Sequence, residues 1–203
     1  LKLVTFGCSF TEGHENQTKG LWPNYLSKLI GKKLDNQGFR GSSNKYIAFK
    51  VLNYNFNPSD TVVILWTFAN RTCILTPNNF LTLGSWQIGR PKNTVKKKEQ
   101  ERKKSEVWYR NLYNEYDSII DQHMHIQHIY YYLKNKGIKS YHLHYHPELC
   151  KKESPQWFNV PMLESSLITI TEKHPKASDG SHPGQQAHLE FAKSVYNEIK
   201  ELS

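Results

Sequence analysis

The sequence predicts an α/β fold on an open, mainly parallel sheet, and three stretches carry that expectation. Leu3-Val4-Thr5-Phe6-Gly7-Cys8-Ser9-Phe10-Thr11-Glu12-Gly13 reads as strand, tight turn and helix: a β-branched and aromatic run ends at a glycine, and turn and helix-start residues follow. Val62-Val63-Ile64-Leu65 is a continuous apolar run inside Thr61 to Trp66, as a strand covered by helices on both faces requires. The closing segment places Leu189, Ala192, Val195, Tyr196, Ile199 and Leu202 on one helical face, with Pro183 near its start.

The elements between follow in order. Trp22, Tyr25, Leu26, Leu29 and Ile30 recur at helical spacing, and Gly31 is their C-cap. Leu34-Asp35-Asn36 is a short second strand running into a Gly38 to Gly41 loop. A helix bearing Tyr46, Ile47, Phe49, Lys50 and Leu52 follows, capped by Ser43 or Asn44. Pro58-Ser59-Asp60 turns the chain into the central strand. From Asn78 to Arg110 the periodicity lapses, and Lys96 to Lys104 is a basic run with interspersed acids, expected as a solvated helix or loop. It lies in a basic, lid-like insertion around residues 84–107. Helical spacing resumes at Trp108 and continues to Leu133, ending at Gly137. Lys139 to Tyr145 alternates, with Tyr141, Leu143 and Tyr145 on one face and His142, His144 and His146 on the other. Pro147 to Pro161 reads as loop, with Trp157 and Phe158 packing in the core or lining a pocket. Leu167-Ile168-Thr169-Ile170-Thr171 reads as a fifth strand.

A chain of 203 residues suits one domain, residues 1–203, able to bury a core without staples. Hydrophobic content of 37% is modest, so the aromatic 13%, including 12 Tyr, must supply much of the packing. The formal charge of +9 suits an acidic partner such as nucleic acid or an anionic polysaccharide, and the Lys96–Lys104 run is the candidate contact. Three widely spaced cysteines, Cys8, Cys73 and Cys150, argue against a disulfide framework or zinc knuckle. No window has the length of a membrane helix, so a soluble, cytoplasmic protein is expected, with a removed signal peptide left open. No phosphate-cradling glycine loop of the nucleotide-binding kind is present. His142, His144 and His146 with His123, His125 and His128 admit a metal site. No carboxylate or Cys completes a ligand pattern there, so edge histidines are the expectation.

In an open parallel sheet the turn after the first strand lies at the carboxyl edge, where ligands bind. Ser9 is placed there like a nucleophile, and its N–H faces out at a helix start. A serine needs a base and oxyanion donors. Asp179 and His182, three residues apart, could lie on one side of a turn, so that the Asp orients the His. His188 is a weaker candidate for the base, and Cys8 a weaker nucleophile than Ser9.

These residues resemble the SGNH, or GDSL-type, hydrolases. Gly7-Cys8-Ser9-Phe10-Thr11 is similar to their G-D-S block, with Cys8 in place of Asp. Asn36 to Asn44 is similar to the second block, in which Gly41 would give an oxyanion N–H. Asp179-Gly180-Ser181-His182-Pro183 is similar to the closing D-x-x-H block. The third block, normally G-x-N-D, is replaced by Trp66-Thr67-Phe68-Ala69-Asn70-Arg71; strict counting favours Phe68, and either Asn70, Arg71 or Thr67 supplies the third donor or two backbone donors suffice. The resemblance implies a three-layer α/β/α sandwich with a flavodoxin-like, five-stranded sheet in order 2-1-3-4-5. It also implies a cofactor-free esterase with Ser9, Asp179 and His182 as the triad and Ser9, Gly41 and Asn70 at the oxyanion. The expected substrate is a small-molecule or glycan O-acyl ester, an O-acetyl group being the first choice. The alternatives are a binding module of the same fold for glycan or nucleic acid, motivated by the altered third block, and a nucleic-acid-binding protein, motivated by the charge.

Overall fold

A computed structural model describes residues 1–13, 20–76, 79–92 and 94–202. Asn78, where the sequence periodicity lapses, and position 93 within the basic insertion lie outside the described residues. Four parallel strands, β1 (Lys2–Phe6), β2 (Lys33–Asn36), β3 (Thr61–Trp66) and β6 (Lys139–His144), form the main sheet in order β2-β1-β3-β6. Leu3 pairs with Leu34 on one side and Thr61 on the other, and Thr61 pairs with Lys139. All four carboxyl ends therefore share one edge. A separate antiparallel hairpin, β4 (Thr72–Thr76) and β5 (Asn79–Leu83), follows β3.

Strand alternation explains the three layers. Leu3, Val63, Leu65, Tyr141 and Leu143 face α2 (Trp22–Ile30), α7 (Leu167–Thr171) and α8 (Gln185–Glu201), burying Trp22, Leu26, Phe191, Ala192 and Val195 between. Val4, Phe6, Val62, Ile64 and Trp66 face α3 (Asn44–Leu52) and α5 (Glu115–Asn135), whose Ile47, Val51, Ile126, Ile129 and Leu133 complete the second core. The continuous apolar run of β3 thus serves both layers, and the mainly parallel α/β architecture holds.

Several element assignments change. Leu167–Thr171 is helix α7, not a fifth strand: the Ser166 hydroxyl accepts from the Thr169 N–H, and Leu167, Ile170 and Thr171 are buried together. Packing on α8 outweighs the β-branched composition. Beyond β6, among the described residues, the sheet gains one isolated parallel bridge, His142 to Met162, in place of the expected fifth strand. The spacing from Trp108 to Leu133 is two helices. α4 (Lys96–Asn111) ends where the Leu112 and Tyr113 N–H groups both turn back to the Trp108 carbonyl, and Asn114 caps α5 through the Asp117 N–H. The basic run is the first half of α4, with Arg102 paired to Glu99 and Glu106. Pro147–Lys152 forms helix α6 inside the expected loop, Trp157 is exposed, and Phe158 packs edge-on against His123. α1 (Ser9–Glu12) and a short 3₁₀ turn, Ser85–Gln87, complete the described elements.

Candidate active site

Four loops meet at the carboxyl edge. In the first, a Cβ at Gly7 would lie 2.1 Å from Thr11 Oγ1 and 3.1 Å from the Leu65 carbonyl oxygen, so only glycine lets the chain turn there. Cys8, extended at φ −93°, is the N-cap of α1, and its carbonyl accepts from the Thr11 and Glu12 N–H groups at 3.0 Å. The thiol is 1% exposed in the core, which removes Cys8 as a presented nucleophile. Ser9 is half-buried at the first helical position, where its N–H has no intrahelical acceptor.

The second loop is tied to the first. Asn36 Nδ2 donates to the Thr11 carbonyl at 2.7 Å, and Asn36 Oδ1 accepts from the Gly38 N–H and from Thr5 Oγ1. A Cβ at Gly38 would stand 2.5 Å from the Glu12 nitrogen. Glu12 Oε2 accepts from the Arg40 N–H at 2.7 Å and from Arg40 Nε at 3.1 Å. Gly41 follows at φ +71°, a left-handed conformation, with its carbonyl accepting from Thr82 Oγ1 of β5. Among the described residues the N–H groups of Ser9 and Gly41 donate to no acceptor.

The third loop is held by a network absent from the sequence expectations. The Thr67 carbonyl and Gln122 Oε1 each accept from both Asn44 Nδ2 and His144 Nε2, at 3.0 to 3.1 Å, closing a ring of four groups. The Thr67 N–H donates to Asn44 Oδ1 at 2.9 Å. It is therefore committed and cannot serve an oxyanion. Arg71 lies over the rings of Phe68 and Trp86, whereas the Asn70 side chain has no hydrogen bond among the described residues; its carbonyl accepts from Tyr109 Oη. Burial holds His144 neutral, pushing its pKa down to about 4. The histidines of β6 were expected at a polar edge, but His142 and His144 are 1% and 3% exposed, and Trp66 Nε1 donates to His142 Nδ1. Among the described residues no cluster of His, Cys, Asp or Glu could hold a metal ion.

The fourth loop brings the closing block. Asp179 Oδ1 accepts from the His182 N–H at 3.0 Å and the Ser181 N–H at 2.9 Å, and Oδ2 lies 2.5 Å from His182 Nδ1. The two backbone donors hold the Asp179 carboxyl well below the usual range. A carboxylate there fixes a proton on Nδ1 and turns Nε2 away from it. Gly180 at φ +68° makes the turn, and a Cβ at Gly184 would meet the Pro175 carbonyl oxygen at 2.2 Å. The His182 ring lies 5.2 Å from that of Phe10, which stacks on Tyr145 at 4.7 Å; Tyr145 meets Phe68 edge-on at 4.6 Å. His188 is 1% exposed in the core, and burial pushes it down to about 4.

Solved proteins share this fold over nearly their whole length. TesA aligns with all of this chain and all of its own at a TM-score of 0.58 and 12% identity. A G-D-S-L family protein from Desulfitobacterium hafniense DCB-2 aligns with 97% of this chain and 98% of its own at 0.56 and 13%. The acetylxylan esterase Axe2 from Geobacillus stearothermophilus, solved as a catalytic mutant, aligns with 98% of this chain and 93% of its own at 0.56 and 13%. The chain has the G-D-S-L hydrolase fold. Comparison of the sequence with family models and with curated proteins yields no match. The G-D-S-L resemblance of the three short blocks therefore stands on fold rather than on overall sequence. No helix among the described residues is long and apolar enough to cross a membrane.

Proposed function

We propose that this protein is a serine hydrolase of O-acyl esters, with Ser9 as nucleophile, His182 as base and then acid, and Asp179 as the group that orients His182. The observation that carries this reading is the Asp179–His182 pair seated against Phe10, the residue after Ser9. Ser9 Oγ attacks the ester carbonyl while His182 Nε2 takes its proton. The N–H groups of Ser9 and Gly41 bind the oxyanion, and the amide of Asn70 is the third donor. His182 then protonates the departing alcohol, and water cleaves the acyl-enzyme by the same steps reversed in role. One donor of this kind is worth about 10² to 10³ in turnover. The preferred substrate is an O-acetyl ester of a carbohydrate, supported by the fold shared with an acetylxylan esterase.

Labelling with a fluorophosphonate tests the reading. A single adduct on Ser9 that disappears in His182→Ala supports it. Absence of an adduct on folded protein favours a second reading, a binding module of this fold without turnover, motivated by the commitment of the Thr67 N–H to Asn44 in place of an oxyanion.

A further inference from the structure

Arg71 is a cation held by rings instead of carboxylates. Its guanidinium carbon lies 4.9 Å from the Phe68 ring centroid and 4.6 Å from that of Trp86, and it has no ion pair among the described residues. Trp86 is itself pinned, since a Cβ at Gly84 would stand 2.1 Å from its ring. The loop bearing Arg71 is anchored by Tyr109 Oη on the Asn70 carbonyl. In one direction the ring contacts run from Arg71 through Phe68, Tyr145 and Phe10 to His182. In the other, Trp86 forms one wall of a cavity of about 440 Å³ that Arg90 and Lys98 also line. The acid there, Glu101, accepts from the Thr82 N–H, and Arg102 is neutralised by Glu99 and Glu106. Arg90 and Lys98 have no acidic partner among the described residues.

We propose that Arg71 grips an anionic group on the substrate, and that the ester cleaved at Ser9 belongs to an O-acylated acidic saccharide whose charged unit rests against Trp86 toward Arg90 and Lys98. The assignment rests on the serine hydrolase reading above. A guanidinium held against rings keeps its N–H donors for an outside acceptor, and its planar fork matches the two oxygens of a carboxylate, sulfate or phosphate. A charge-assisted, bidentate contact is about twice as strong as a neutral one and orients what it holds. The part of Trp86 that lines the cavity offers apolar surface to a sugar. The chain's +9 charge raises the encounter rate of such a substrate.

The test compares acetate release from three monoacetylated probes, a methyl glucoside, a methyl glucuronoside and glucose 6-phosphate, by the wild-type protein, Arg71→Met and Arg71→Lys. The wild type is expected to favour a charged probe by at least about tenfold in kcat/KM, with the carboxylate and phosphate probes telling the anions apart. In Arg71→Met the charged-to-neutral ratio should fall to about one through KM, and Arg71→Lys should restore part of it. A wild-type ratio of one, or a ratio that Arg71→Met leaves intact, overturns the proposal. If Ser9 takes no fluorophosphonate and no probe is turned over, the hydrolase reading fails separately. The anion site is then decided by titrating an oligoglucuronate against tryptophan fluorescence: salt-sensitive binding lost in Arg71→Met supports it, and no binding overturns it.

Discussion

The imidazole of His182 rests 5.2 Å, ring to ring, from Phe10, the residue that follows Ser9 in α1. Groups from opposite ends of the chain thus share a wall, and that wall is backed by the stack of Phe10 on Tyr145. Phe10→Ala should remove the surface that seats His182 while leaving the Asp179 contact intact. A displacement of about 1 Å can cost 10²-fold, so a fall of that order in kcat with little change in KM is expected, smaller in Phe10→Leu. An unchanged kcat in steady-state assays would show that the ring contact does not position the base.

Ser9→Ala and His182→Ala should each abolish ester hydrolysis in a folded protein. Because the members of such a triad act as a unit, the double variant should be little slower than either single one. Activity measured beside circular dichroism checks this. Full turnover in Ser9→Ala would end the serine reading.

Asn70 is the candidate third donor left after the Thr67 N–H is committed to Asn44. Asn70→Ala should lower kcat at least about tenfold. Initial rates on a single ester suffice, and an unaltered rate would leave the two backbone N–H groups as the donors.

The ring of Asn44, Thr67, Gln122 and His144 makes a prediction about stability. Asn44→Leu would strand the Thr67 N–H and remove a donor from two buried oxygens, and each unsatisfied buried group costs about 1–3 kcal/mol. A loss of about 2–4 kcal/mol in denaturant unfolding is expected. Gln122→Met should cost less, because the Thr67 N–H keeps its acceptor. Equal stability of Asn44→Leu and wild type would mean that solvent replaces the ring.

Three buried histidines set the pH dependence of folding. Burial pushes His142 down to about 3 and His144 and His188 to about 4, from an ordinary 6.5. Between those values the unfolded chain binds protons that the folded chain refuses, so stability rises with pH in this window and falls as pH drops from 6.5 toward 4. Urea midpoints should therefore decrease between pH 7 and pH 5. His188→Phe should flatten the slope, and a midpoint independent of pH would contradict the burial of these groups as neutral rings.

What the sequence determined by itself was local. The strand, turn and helix around Ser9, the Gly41 loop, the apolar β3 and the close spacing of Asp179 and His182 are all legible, because strand period, glycine turns and short-range carboxylate–imidazole geometry are settled within a few residues. Tertiary contacts decided the rest. Leu167–Thr171 has a strand's composition and became a helix because Leu167 and Ile170 pack in the core that α8 completes. His144 reads as an edge histidine, and nothing near it or near Gln122 points to a partner 77 positions away at Thr67 or 78 positions away at Asn44. Arg71 reads as a candidate oxyanion donor, and only the fold lays it against the rings of Phe68 and Trp86. Such groups acquire their meaning only when folding removes water and supplies the partners that water had been.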